Sequence, residues 1–338
     1  MKNLLLLSSL LLTLSSFGQN KIDSLIQVGI QYHDNGEYGK AIEIYNTALQ
    51  IDPKSTLINY ELSMSYMYAG DYEKAIKHSD IVIKQKKEHL LLAYITKGSS
   101  LDNLGKTKQS IKLFNKAIAE FGDNYLLYYN LGINYSKIQD YKNSESAFTN
   151  AIMANSNHAS SHYGLALIKR EQDQRVQSLL SLYYFLFIEP SSKRAETAYK
   201  LLKEQLGGSV QRDENNPMNI NIFINPLRME SEFGAAEIML AMLEASNSSD
   251  ENKDKTPDEL FIENTKSFFS VLGELSENEK KTNIWWDFYV PFFYKLAKSE
   301  YMDVFCYYIS ISSNEKAKEW LKTNNEKAEN FGKWLNEI

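Results

Sequence analysis

The chain has a single cysteine, Cys306, in 338 residues. No internal disulfide can form, so stability has to come from packing. Cys306 lies in "DVFCYYI", a setting that reads as a small buried hydrophobe rather than a reactive thiol. An excess of positive charge is also missing. The net charge is −6 and the pI is near 5.6, which leaves no basic field for nucleic acid or an anionic membrane surface. Beyond the first residues no run approaches ~18 uninterrupted apolar side chains, so no integral membrane segment is expected once the leader is removed.

Catalytic signatures are missing as well. The sequence holds no GxSxG, GxxxxGK[ST], HExxH or GxGxxG. His158 and His162 stand four apart, as two ligands on one helix face would, but no cysteine or partnered carboxylate completes a set. Asp250, Asn252 and Asp254 mimic the start of a calcium loop, yet Lys255 replaces the turn glycine and Phe261 stands where the bidentate glutamate belongs. No metal, no cofactor and no catalytic residue is therefore expected. Asp287 and Glu300 are the one carboxylate pair that merits measurement in a structure.

What is present begins with "MKNLLLLSSLLLTLSSFGQN", a lysine followed by a leucine-rich run and small residues. It reads as a secretory signal peptide over residues 1–18, cut near Gly18 and Gln19. No cysteine follows it to take a lipid, so the expected location is the periplasm or the cell exterior. The whole sequence is 43% hydrophobic and 24% charged, the balance of a globular chain with one or two cores.

The stretch "LIQVGIQYHDNGEYGKAIEIYNTALQIDP" recurs. Its later copies are "NYELSMSYMYAGDYEKAIKHSDIVI", "YITKGSSLDNLGKTKQSIKLFNKAIAEFG", "YYNLGINYSKIQDYKNSESAFTNAIM" and a weaker "SSHYGLALIKREQDQRVQSLLSLYYFLFIEP". A small residue marks each copy at Gly29, Ser63, Gly98, Gly132 and Gly164, at intervals of 34, 35, 34 and 32. Such a period is that of a stacked array. Small residues let two helices approach, with Ala41, Ala75, Ser110 and Ser144 opposite them. Tyr32, Tyr66, Tyr135 and Phe148 are expected to fill the space between units. Gly36 and Gly70 suit a left-handed turn between helices. The fifth copy has Glu171 to Asp173 in place of that glycine.

The copies resemble the tetratricopeptide repeat, a helix-turn-helix unit of about 34 residues. The resemblance covers residues 21–190 and implies an all-α, right-handed solenoid of about five units. Its concave face would be lined by the first helix of each pair. The family pattern places there Ile26, Ile30 and His33, then Tyr60, Met64, Met67 and Tyr68. Leu92, Ile95, Ser99 and Asp102 follow, and then Leu126, Tyr129, Ile133 and Lys137. Tyr60, Met64, Met67, Tyr68, Ile95, Leu126, Tyr129 and Ile133 are the candidate binding residues. This largely apolar set suits a hydrophobic peptide, an amphipathic helix or a protein partner. Few lysines and asparagines are offered to a terminal carboxylate. The expected function is a non-catalytic adaptor or scaffold, with the oligomeric state open. The groove is alternatively filled by the protein's own C-terminal half.

Residues 191–338 read as a separate helical domain with a polar loop near 246–255. "NINIFIN" alternates as a short strand does. In "TPDELF", Thr256 is the N-cap, Pro257 opens the helix and Glu259 completes a capping box. "NIWWDFYVPFFYKLAKSEYMDVFCYYI" concentrates aromatic residues and contains Pro291, which should kink or split its helix. A helical core is one reading of that segment. An aromatic platform for a glycan, in a glycan-binding or glycan-processing protein, is the other. Trp320 and Trp334 are fourteen residues apart, which places them on one face of a single final helix.

Overall fold

The computed structural model describes residues 20–212, 220–247, 249–277 and 282–337. The leader and its cleavage point, and Asn219 at the head of the strand segment, lie outside the described residues. Packing divides the chain into two compact units, the first ending at Ala147 and the second starting at Phe148.

Helices α1 (20–34), α2 (Tyr38–Ile51), α3 (Thr56–Tyr68), α4 (Tyr72–Gln85), α5 (Leu90–Asn103), α6 (Thr107–Phe121), α7 (Tyr125–Lys137) and α8 (Tyr141–Ala154) form four pairs. A fifth pair follows as α9 (Ala159–Glu171) and α10 (Arg175–Ile188). The turn within each pair is built the same way. A left-handed residue stands at Gly36, Gly70, Gly105, Gln139 and Asp173. The N–H of the next residue then donates back to a carbonyl five positions earlier: Glu37 to Tyr32, Asp71 to Tyr66, Lys106 to Leu101, Asp140 to Tyr135 and Gln174 to Lys169, all at 2.8–2.9 Å. This is the Schellman closure of a helix end. Glycine takes the positive φ without strain in the first three turns, whereas the last two impose it on glutamine and aspartate.

Close approach within the pairs relies on missing side chains. A Cβ on Gly98 would sit 2.2 Å from the Phe114 ring, and one on Gly29 would sit 2.4 Å from that of Tyr45. The small hydroxyls of the second helices bond to first-helix carbonyls, Ser110 to Gly98 at 2.7 Å and Ser144 to Gly132 at 2.8 Å. Ser178 does the same to Ala166 at 2.9 Å. That bond corrects the register read for the fifth copy: its small residue is Ala166, 34 after Gly132, and Gly164 instead clears space for the Phe148 ring. Tyr45, Phe114 and Phe148 are the deeply buried rings, while Tyr32, Tyr66 and Tyr135 are only partly buried.

The second unit continues with α11 (Lys193–Leu206), then a two-stranded antiparallel ladder, β1 (Val210–Arg212) with β2 (Ile220–Ile222). The alternating segment thus supplies a three-residue strand. α12 (Pro226–Met229), α13 (Gly234–Ser246) and α14 (Pro257–Ser276) follow, and the polar stretch between α13 and α14 holds one short 3-10 turn. Thr256 and Glu259 make both capping-box bonds at the start of α14. A π-turn at Trp285–Tyr289 runs into α15 (Val290–Lys298), with Pro291 in its first turn. The wide turn absorbs the donor that proline lacks. The chain ends in α16 (Met302–Ser310), α17 (Glu315–Thr323) and α18 (Asn325–Leu335). The single final helix expected from sequence is therefore two, broken at Asn324. Trp320 stacks on Tyr307 at 4.4 Å, and Trp334 lies against Tyr301 at 5.6 Å, so the two tryptophans serve separate contacts.

Candidate functional site

In the first unit α1, α3, α5 and α7 lie side by side and are tied across their first-helix face. His33 Nδ1 meets Ser65 Oγ at 2.8 Å, linking α1 to α3. The Thr96 hydroxyl, which donates to the Leu92 carbonyl at 3.0 Å, also lies 3.4 Å from Met64 Sδ, bringing α3 against α5. The Ser99 hydroxyl donates to Asn130 Oδ1 at 3.3 Å, and Lys137 donates to Asp102 Oδ2 at 3.2 Å, linking α5 to α7.

One end of this face is aromatic. Tyr68 is 54% exposed. Its ring stacks on Tyr38 at 5.4 Å and meets the edge of His33 at 5.3 Å, while His33 also packs edgewise on Tyr38 at 5.2 Å. Burial holds the His33 pKa below its ordinary value, which keeps the ring neutral against the two tyrosines. Tyr60 lies flat on His89, with centroids 5.1 Å apart. Burial and the neighbouring Glu61 push the Tyr60 phenol up to about 12. Glu61 accepts from Tyr45 at 3.3 Å, and burial raises its own pKa. The middle of the face is polar, formed by Ser99, Asn130 and the Asp102–Lys137 pair.

The sequence-derived residues fall unevenly on this frame. Tyr68 and Ile133 are exposed, and Tyr60, Met64, Met67, Leu126 and Tyr129 are half-buried. Ile95 is also half-buried, but it packs against the cluster around Tyr94 and Phe114. Ile26 is not a groove residue. At 6% exposure it belongs to the core with Tyr45 and Leu62, because three positions before Gly29 it turns toward α2. Tyr38 was missed, since it opens the second helix of its pair. The recurrence of aromatic residues at helix starts (Tyr38, Tyr72, Tyr141) was the available signal.

The aromatic segment of the second unit is mainly interior. Trp285, Trp286, Tyr289, Phe293 and Phe305 are all buried, and Phe293 stacks on Phe269 at 4.4 Å. Cys306 lies among them at 1% exposure, and burial pushes its thiol pKa up. His162 is buried here with both nitrogens engaged. Nε2 faces the Ser156 carbonyl at 2.9 Å, which can only accept, so Nε2 carries the proton and Nδ1 accepts from the Tyr289 hydroxyl at 2.6 Å. His158 bonds to Ser161. No metal-competent group of three or more ligands occurs among the described residues. Asp287 and Glu300 are both exposed and flank α15. At helical rise they stand roughly 15 Å or more apart, too far for a glycosidase pair. No helix of the described residues is long and apolar enough to cross a membrane.

Models of the tetratricopeptide repeat match residues 32–91, 91–121 and 125–158. A TPR repeat-containing protein of Methanocaldococcus jannaschii is 31% identical over 120 residues, which is 36% of this chain. The match spans only about a fifth of that relative, 21% of its length. Among solved structures, a thermophilic TPR protein of Thermus thermophilus is 15% identical with a TM-score of 0.48, covering 55% of this chain and 98% of the other. MamA of Desulfovibrio magneticus is 17% identical with a TM-score of 0.43, covering 50% and 95%. Residues 32–158 are thus a run of tetratricopeptide repeats, a fold that supports a role in binding protein partners.

Proposed function

We propose that the protein is an exported adaptor whose first unit docks a peptide, helix or protein surface on the face of α1, α3, α5 and α7. The observation that carries this reading is the Tyr68 cluster. A large ring is left 54% exposed while two neighbours hold it in place. A fixed aromatic loses little conformational entropy when a partner covers it, which is what an interface anchor needs. Tyr60, Met64 and Met67 extend the apolar area along α3, and Leu126, Tyr129 and Ile133 supply a second apolar site on α7. The polar residues between them offer hydrogen bonds to a bound backbone. The leucine-rich leader supports placement in the periplasm or outside the cell.

The test is crosslinking with mass spectrometry on the protein expressed in its own cell envelope, comparing wild type with Tyr60→Ala/Tyr129→Ala. A protein crosslinked through the first unit and lost in the double variant supports the adaptor reading. A partner retained in full by the double variant, or none at all, counts against it.

A further inference from the structure

Two adjoining cavities in the second unit play no part in the docking face. The first, of about 430 Å³, is walled mainly by Phe187, Val304, Tyr308, Phe331 and Leu335. The second, of about 530 Å³, shares Asn157, Phe187 and Leu335 with it and adds Asp287, Lys295 and Asn336 around the rings of Phe288 and Phe292. Both open to solvent, so their apolar walls form a cleft that water now contacts and a ligand could cover. Each cavity has the volume of a small-molecule pocket.

Gly332 provides a second sign. In a helix interior glycine costs about 1 kcal/mol relative to alanine. Neither packing nor backbone calls for it in α18: the residue is exposed at the mouth of the cleft, a Cβ there would meet nothing within 4 Å, and its φ is not in the left-handed region. Gly332 and Ala328, one turn apart, both line the first cavity. The two smallest side chains of α18 therefore coincide with the open space.

We propose that the paired cavities bind a small amphiphile. Its apolar tail lies under α18 among Phe187, Val304 and Phe331, and its polar head meets Asn157, Asp287, Lys295 and Asn336. A free sugar fits less well, because Asn157 and Tyr308 are the only polar side chains among the described residues lining the first cavity. The inference stands apart from the docking face and survives its failure.

The experiment is calorimetric titration of the full chain with decanoate and with decyltrimethylammonium, both below their micellar concentrations, at two temperatures. At least one probe should bind saturably, with an enthalpy that grows more negative on warming as apolar surface is buried. Gly332→Leu and Ala328→Leu, which fill the cavity, should each weaken that binding at least about tenfold and raise the melting temperature. Should one filled variant fail to fold, the other carries the test. The proposal is overturned if neither probe binds saturably, or if the filled variants bind as well as wild type. It is equally overturned if methyl β-glucoside binds where both alkyl probes do not.

Discussion

α6 and α10 hold the same place, each the second helix of a pair, yet they are buried very differently. α6 buries Thr107, Ser110, Phe114 and Ala117, one stripe at spacings of three and four, and leaves its other face to solvent. In α10 every residue from Arg175 to Leu186 is buried. A helix that is apolar on one stripe is a surface brick, and one that is apolar all round is core. The sequence "RVQSLLSLYYFLFI" already carries that difference. Tyr183 bonds to Thr265 at 3.0 Å, and Tyr184 packs on Phe288 at 4.9 Å and Phe292 at 5.1 Å, so the residues after the repeats close over the fifth pair. Within the first unit no comparable covering is made of α1, α3, α5 and α7 by the described residues, and rings such as Tyr68 stay open. The same repeat chemistry thus yields a core in one region and a face with exposed rings in the other.

The comparison breaks most sharply at Tyr289. Its ring is fully buried and its hydroxyl is the partner of His162 Nδ1. Tyr289→Ala should destabilise the protein by about 5 kcal/mol, from the cavity plus an unsatisfied imidazole nitrogen. All four tryptophans lie in the second half, so tryptophan fluorescence in urea reads this loss. In the first unit Phe114→Ala should cost about 4 kcal/mol by circular dichroism, because the ring is what Gly98 makes room for.

Acid sharpens the contrast further. Burial lowers the His162 pKa to about 4, from about 6.5 when unfolded, so between those values the unfolded chain binds the additional proton. This contribution is whole above about pH 6.5 and is lost as pH falls toward 4, on the order of 3 kcal/mol in all. His162→Gln should flatten the stability profile in that window. A profile unchanged by the substitution would contradict the assignment. A smaller effect is expected at the turns. Gly105→Ala should cost about 1 kcal/mol, because φ there is +74° with nothing within 4 Å of a Cβ, so only backbone strain is at issue. A cost near zero would show that the turn relaxes.

Much of the repeat region was legible because its rules are local. Glycines at Gly36, Gly70 and Gly105 take left-handed turns, as glycine alone does without strain. Gln139 and Asp173 adopt the same φ with no such signal, imposed by the repeated helix closure, and the fifth register was misplaced by two residues because Gly164, which makes room for Phe148, looked like the marker that Ala166 is. The exposure of Tyr68 and Ile133 was legible and that of Ile26 was misread, because helical spacing shows that residues share a face but not where its border with the core runs. The break at Asn324 escaped notice since asparagine in a polar stretch is no strong stop, and Trp320 and Trp334 then looked like one stripe. The paired cavities gave no sequence signal at all. Phe187, Val304 and Phe331 come from α10, α16 and α18, and only folding brings them together.

The smallest stability effect belongs to Tyr68 and is also the most informative for function. Tyr68→Ala should change stability by less than about 0.5 kcal/mol, since the ring is exposed, but weaken partner binding by roughly 1–2 kcal/mol. The most direct measurement places a photo-crosslinking phenylalanine derivative at Tyr68, or in a second variant at Lys77, which is exposed on α4, and irradiates intact cells. The expected result is a partner adduct from position 68, absent from position 77 and competed by unlabelled wild-type protein. Equal adducts from both positions, or an adduct from position 77 alone, would contradict docking on the first-helix face.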